Sequence, residues 1–295
     1  MEKLVQALVN GVIFGAPYSL LALGLVLVYK GSRVFNFAQG EFGTVGAFVT
    51  LLLQSHVPLL LAVIGGVISG AVMGLATERF VVQPLFDAPK VTLLVATAAV
   101  ALGAIALQLA IGDAEIRTLR PLVSGDAFVI ANVPVLWQQL LIILALAGLA
   151  LVLWLFFTRT DLGLAVLAAS QEPTATNLVG ISVRKISALV WGMAALLGAV
   201  AGVLVAPVAQ LTPGFGTSGL LIFGFVAAVV GGMTSLPGAV LGGILVGMVQ
   251  AFTALYVQDI SWVSDQITSP ELVALFVVLV GVLAVRPAGL LGKEA

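Results

Sequence analysis

The sequence predicts an all-α fold: a polytopic transmembrane helix bundle of eight or nine spanning segments, with short helices on the cytoplasmic side. Three observations predict it. Hydrophobic residues make up 61% of the 295 and charged residues only 8%, against about 45–50% and 25% in soluble domains. Apolar stretches near the ~20 residues that cross a bilayer recur along the whole chain. The 12 Lys and Arg residues sort unequally between alternate connections.

Composition also excludes several functions. The net charge of −1 gives no basic footprint for nucleic acid. Cysteine is absent, so no disulfide framework, thiolate nucleophile or cysteine metal site exists. The one histidine, His56, leaves little room for imidazole chemistry, and no metal site is expected.

The apolar stretches fall at about 4–28, 38–55, 58–77, 91–112, 137–157, 185–206, 219–232, 238–257 and 271–286. The first is too long for a signal-peptide core and no small-x-small cleavage pattern follows it promptly, so a retained helix is expected. The 38–55 stretch carries Glu41 and several glycines, and 219–232 is short. The chain is read as one membrane domain, 1–295, with a cytoplasmic loop at 158–184 inside it.

Orientation follows from charge, because Lys and Arg accumulate in cytoplasmic loops. With the 29–37 loop inside, the inside set is Lys30, Arg33, Arg79, Lys90, Arg159, Arg184, Lys185, Arg286 and Lys293. Lys3, Arg117 and Arg120 lie outside, and 9 + 3 accounts for all 12. The C-terminus is therefore expected inside and, with nine crossings, the N-terminus outside; eight would put both inside. Asp259, Asp265 and Glu271 fall outside, where acids weigh little.

Two connections are long. Residues 113–136 alternate in polarity around Pro134, which predicts a short strand or hairpin on the outside. Residues 158–184 predict two short surface helices. Leu162, Val166 and Ala169 are helix-spaced, Pro173 breaks the run, and Gly180 is placed as a C-terminal cap. This loop either covers the bundle or docks a cytoplasmic partner. Of the 33 glycines, many lie four apart, as Gly66, Gly70 and Gly74 do, or Gly243 and Gly247. That spacing lets helix backbones approach closely in lipid.

Polar groups are costly in a bilayer, so three interruptions of the apolar pattern are candidate sites. The first is "VFNFAQGEFGTVGAF", 34–48, with Asn36, Gln39 and Glu41. Asn36 caps the next helix, with Glu41 near its positive end, or the segment is a broken helix entry facing a pathway. The second is "APVAQLTPGFGTSG", 206–219, an irregular stretch that forms an outer loop or a re-entrant segment. The third, "GGMTSLPG", 231–238, predicts a tight turn. Gly216-Thr217-Ser218-Gly219 matches the G-x-S-G of intramembrane serine proteases, but the only histidine lies far upstream. No P-loop and no H-E-x-x-H pair occurs. A non-catalytic chain with no cofactor of its own is expected.

Several segments together resemble the permease subunits of branched-chain amino acid ABC importers. In 10–48, Asn10, Gly11, Gly15, Tyr18, Leu20, Ala22 and Gly24 fit the family's first helix. Asn36, Phe37, Ala38, Gly40 and Glu41 fit its "NFAHGE", with Gln39 in place of histidine. "ERFVVQPL", 78–85, is similar to the family's E-R-x-x-x-R-P-L, with Gln83 in place of arginine. The 158–184 loop, "GGMTSLPGAVLGGILVG" and the terminal "RPAGLLGKEA" complete the likeness in the right order, although the loop lacks the basic residue usual near Val166.

The resemblance implies a multi-pass subunit of a bacterial-type inner membrane that works by alternating access. It would pair with a homologous permease, as homo- or heterodimer, with two cytoplasmic ATPases that bind the ATP, and with an extracytoplasmic substrate-binding protein. It implies that the 158–184 helices are coupling helices, with Leu162, Val166, Ala169, Gln171, Glu172, Asn177 and Gly180 as docking residues. Tyr18, Ser19, Asn36, Gln39, Glu41, Gln210 and Thr212 are the candidate pathway residues. Glu41 is expected to be satisfied within the bundle, with the 34–48 segment acting as a structural gate at the inner mouth. Relatives carry leucine-type amino acids, urea, short amides or aromatic acids, so the substrate stays open. The rival readings are a sugar-type ABC permease and a secondary transporter or channel without an ATPase.

Overall fold

The computed structural model describes residues 2–112, 116–130, 132–257, 260 and 267–292. Asp259, Asp265 and Lys293 of the charge argument, and parts of the 113–136 connection, lie outside the described residues. Eleven helices are described: α1 (Glu2–Ser32), α2 (Gln39–Leu53), α3 (Leu59–Thr77), α4 (Lys90–Gly112), α5 (Trp137–Arg159), α6 (Asp161–Gln171), α7 (Pro173–Leu178), α8 (Val183–Val205), α9 (Ile222–Gly231), α10 (Leu236–Phe252) and α11 (Pro270–Val285). Three of them carry π-helical turns: Glu78–Val82 extends α3, Gly216–Leu221 leads into α9, and Thr253–Val257 extends α10.

Among the described residues, six helices are long and apolar enough to span a membrane: α1, α3, α4, α5, α8 and α10 with their π turns. Adding the shorter α2, α9 and α11 gives nine segments that run alternately up and down. The connection before α5 contains a hairpin, as its alternation suggests: β1 (Asp126–Ile130) pairs antiparallel with β2 (Val133–Leu136), with a bulge between Asp126 and Phe128. It marks the hairpin end of the bundle. The 158–184 loop forms α6 and α7, as the spacing predicts, and marks the opposite, α6 end. Pro173 starts α7 and Gly180, at φ +86°, follows its C-terminus.

Helices α1 and α8 are the axis of the bundle. Nearly all of α1 from Gly15 to Val28 is buried, and so is the α8 face from Ile186 through Val205. The other spanning helices expose wide apolar faces, such as Leu60, Ile68 and Val72 on α3. That inversion of soluble-protein burial is what a lipid solvent demands. The four-residue glycine spacing serves packing. Gly66, Gly70 and Gly74 of α3 lie against Gly46, Phe42 and Ala195, where any added methyl group would meet neighbouring atoms.

The chain also contains a structural repeat that periodicity does not reveal. In α1–α4 an axial helix is followed by an irregular stretch (33–38), a short helix, a turn (54–58), a helix ending in a π turn, and a further helix. The same sequence of parts recurs in α8–α11. The packing is reciprocal. α1 lies on α10 as α8 lies on α3, and α9 lies on α1 as α2 lies on α8. α5 separates the two sets, so they run in opposite senses through the bundle, as inverted repeats do in transporters.

Candidate functional site: two broken helices that meet at mid-depth

The site begins with a failure of helix. After Ser32 the chain runs irregularly through residues 33–38 and restarts at Gln39. Arg33 adopts a left-handed φ of +54°, which reverses the chain into the bundle. Val34, Asn36 and Ala38 of this stretch are buried. Buried non-helical backbone in a membrane must find its hydrogen bonds in protein. Asn36 Oδ1 accepts from Ala38 N at 3.0 Å and Thr97 Oγ1 of α4 from Phe37 N at 3.2 Å, while Asn36 Nδ2 donates to the Gln39 side chain at Oε1, 3.0 Å away. Gln39 Nε2 then donates to Ala194 O on α8 at 2.7 Å. Asn36 therefore caps the turn before α2; the N-cap position itself is Ala38, whose side chain has no acceptor.

α2 begins well inside the bundle, because Gln39 packs between Gly24 of α1 and Gly198 of α8. This corrects the expected placement at the inner mouth: the irregular stretch carries the chain to mid-depth before helix resumes. The 206–219 stretch mirrors it from the hairpin end. Leu211 forms a β-bridge with Arg117, and Leu211, Gly214 and Phe215 are buried, so the segment is re-entrant. Helix starts at Gly216, earlier than the sequence suggests, as a π turn.

The two restarts meet head to head. A methyl group on Gly40 would overlap the Gly216 carbonyl, and one on Gly216 would overlap Gly40, so each contact needs a residue without Cβ. Gly216 N donates to Thr44 Oγ1 at 2.7 Å.

Between them sits Glu41, fully buried. Its Oε1 accepts from Thr217 N at 3.0 Å and Thr217 Oγ1 at 2.7 Å, and its Oε2 accepts from Gln108 Nε2 of α4 at 2.7 Å. Gln108 Oε1 accepts from Gly214 N at 2.9 Å, which closes the network. These donors are neutral. Glu41 lies in the first turn of α2 and touches the first turn of the helix that begins at Gly216. The positive ends of two helix dipoles thus converge on one carboxylate, which compensates for burial without a cation.

The remaining candidates are more scattered. Tyr18 donates to Gln250 Oε1 at 2.7 Å and stacks on Phe223 at 4.8 Å. Ser19 is fully buried, with its hydroxyl 2.8 Å from Gly15 O and 2.9 Å from Val240 O. Both tie α1 to α10. Gln210 is exposed and Thr212 half-buried, on the re-entrant segment at the hairpin end. Asn36, Gln39 and Glu41 form one cluster, to which the 206–219 segment adds Thr217; Tyr18, Ser19, Gln210 and Thr212 stand apart from it.

Of the loop residues, Val166 and Ala169 are buried and seat α6 on the bundle. Leu162, Gln171, Glu172, Asn177 and Gly180 are exposed. They share that surface with Leu164, Leu178 and Val179, which are 58%, 84% and 75% exposed. So large an apolar exposure outside the spanning helices is unusual without a partner.

Sequence reasoning missed Thr44 and Gln108, and Thr217, though a polar residue of the 206–219 stretch, was not among the pathway candidates. Gln108 is a polar residue within an otherwise apolar run of α4, Ala98 to Ile111, and that isolation is its signal. Glu78 opens the ERFVVQPL segment. It is 1% exposed at the start of the π turn after α3. Gln83 Nε2 donates to it at 3.2 Å, and Arg79 donates to Gln83 Oε1 at 2.6 Å, so Gln83 relays between the two charges. The hydroxyl of Ser218 donates to Gly214 O at 3.0 Å, and His56 lies beyond α2 at the hairpin end.

Residues 7–285 match the family described as the permease component of the branched-chain amino acid transport system. The chain belongs to this family. The permease is 34% identical to the high-affinity branched-chain amino acid transport system permease protein BraD of Pseudomonas aeruginosa, over 98% of this chain and 95% of the relative. It is 28% identical to the LivH permease protein of Salmonella typhimurium over the same shares. It is 28% identical to a LivH permease protein of Methanocaldococcus jannaschii, over 99% of this chain and 93% of that one. The permease is thus an all-α, multi-pass membrane protein of a transport system, and the likeness covers the two broken helices and the loop between them.

Proposed function

We propose that the permease is the translocation subunit of an ABC importer for branched-chain amino acids or related small amino-acid-like substrates. The full-length match to branched-chain amino acid permeases carries this reading. The α6 end lies in the cytoplasm, as the charge distribution argues, and the hairpin end faces the substrate-binding protein. The membrane is the bacterial inner membrane. The chain catalyses nothing itself and binds no cofactor; ATP is bound and hydrolysed by two partner ATPases, and a homologous permease completes the pathway.

The mechanism follows from the site. ATPases dock on the exposed face of α6 and α7, around Leu162, Gln171, Glu172, Asn177 and Gly180, while Val166 and Ala169 transmit the movement into the bundle. The substrate pathway runs past the polar set Tyr18, Ser19, Asn36, Gln39, Glu41, Gln210 and Thr212. Gln210 and Thr212 receive substrate at the hairpin end. Asn36, Gln39 and Glu41 hold the two broken helices together, and separating them opens the path at one end and then the other.

The test is reconstitution in liposomes with the partner permease, ATPases and binding protein. ATP-dependent leucine uptake that needs the binding protein is expected. Uptake without any ATPase would overturn the reading in favour of a secondary transporter, and uptake of sugars alone would favour a sugar-type permease.

A further inference from the structure

The face of α3 that packs on α8 is built of small residues until its last turn. Gly70 faces Ala199 and Gly74 faces Ala195, so the helices run antiparallel, and four residues forward on α3 match four residues back on α8. The next step of that register brings Glu78 level with Trp191. Ser187, one turn before Trp191, lies beside the Glu78 carboxylate without a formed hydrogen bond.

All three side chains are buried: Glu78 is 1% exposed, and Ser187 and Trp191 are 0% exposed. Glu78 Oε2 accepts from Gln83. Among the described residues, Glu78 Oε1, Ser187 Oγ and Trp191 Nε1 have no hydrogen-bond partner within the protein. The other buried side-chain atom in that condition, on Glu271, belongs to the first turn of α11 at the opposite end of the bundle. Unpaired buried polar groups are rare and costly. Three of them at one level of one helix pair mark a site.

Their chemistry selects the occupant. The indole N–H only donates, the carboxylate oxygen only accepts, and the hydroxyl does either. A metal ion or an ammonium group cannot accept from Trp191. An anion is repelled by Glu78. A proton on Glu78 would pair Oε1 with Ser187 and leave Trp191 unpaired. A water molecule accepts from Trp191 and Ser187 and donates to Glu78, which matches the about three hydrogen bonds that buried waters make.

We propose that one water molecule is bound between Glu78, Ser187 and Trp191 and joins the π turn of α3 to the first turns of α8. Only residues 179–182 separate α8 from α7. On the importer reading above, the water sits where movement of the loop enters the bundle. Water-mediated bonds are nearly as favourable as direct ones. A bridging water can turn as α8 shifts on α3, where a direct carboxylate–indole bond would have to break.

The test uses the full chain, purified with the subunits that accompany it, in nanodiscs. Cryo-electron microscopy at a resolution that shows ordered water reads the site. One density within hydrogen-bond reach of Glu78 Oε1, Ser187 Oγ and Trp191 Nε1 is expected. A map with no density there, or with Trp191 Nε1 bonded directly to Glu78 or Ser187, overturns the proposal. Trp191→Phe keeps an aromatic ring and removes one donor, so the density should weaken by about half or more. Undiminished density in that variant shows that Trp191 is no partner and also overturns the proposal. Infrared spectra of the native chain and Glu78→Gln read the charge. Loss of a carboxylate band in the variant supports the water; loss of a protonated carboxyl band shows that a proton satisfies Glu78 and overturns it. If neither variant assembles, the native map decides. None of these readouts depends on transport.

Discussion

Glu41 and Thr217, 176 positions apart in sequence, are joined twice: the carboxylate accepts both the backbone N–H and the hydroxyl of the threonine, at 3.0 and 2.7 Å. One belongs to a helix rising toward the hairpin end, the other to a helix descending toward the α6 end. The charge of Glu41 is tolerated because it stands at both positive ends.

Glu41→Gln keeps the shape but removes the charge and turns an amide donor toward groups that already donate. A loss of about 1–3 kcal/mol is expected, the usual cost of a buried donor left unpaired. Thermal unfolding in detergent measures it, with Glu41→Ala expected to be worse. A Glu41→Gln chain as stable as the native would refute the dipole argument.

Gly40→Ala places a methyl group against backbone of Gly216 and Thr217, which cannot move aside by changing rotamer. Destabilisation of about 1–3 kcal/mol or more is expected from overpacking. Gly103→Ala is the control, since nothing lies within 4 Å of its added Cβ. That variant should be neutral or gain up to about 1 kcal/mol of helix stability. Equal effects at both sites would show that the head-to-head contact is not tight.

Leu178→Asp with Leu162→Asp alters only exposed side chains of the loop. The bundle should stay folded by size-exclusion profile and unfolding temperature, while ATPase association falls on the order of tenfold or more. Val166→Asp places a charge in a buried seat and should destabilise the bundle as well. If the double leucine variant still binds ATPase and couples transport, docking lies elsewhere.

The loop after α11 is part of the fold. Leu290 N donates to Val230 O at 2.8 Å and Leu291 N to Gly231 O at 3.0 Å, which satisfies carbonyls at the end of α9. Leu290→Pro removes one of these donors and should cost about 1–3 kcal/mol. Faster proteolysis within the 232–235 turn would report the loosening, and unchanged protection would count against it.

The spanning helices were legible because lipid imposes one rule on long segments, and the hairpin and the α6–α7 pair were legible from alternation and Pro173. Depth was not. Nothing local in "VFNFAQGEF" states that residues 33–38 run without helix into the bundle, because Thr97 of α4 pairs with the backbone of Phe35 and Phe37, and Gln39 is anchored on Ala194 O of α8. Gln108 reads as an anomaly in α4 until Gly214 and Glu41 are placed on either side of it. The repeat escaped for a related reason: its two halves share geometry, and the polar groups at their breaks differ.

That repeat has an energetic corollary. Where a helix and its upside-down counterpart pack on matching elements, tilting the bundle one way exchanges the roles of the halves and leaves part of the contact energy unchanged. In the proposed alternating-access cycle, that would reduce the permease's own preference for either open form. On the importer reading proposed above, a small bias at the α6 end, such as a bound ATPase changing its nucleotide, would be enough to set which end is open.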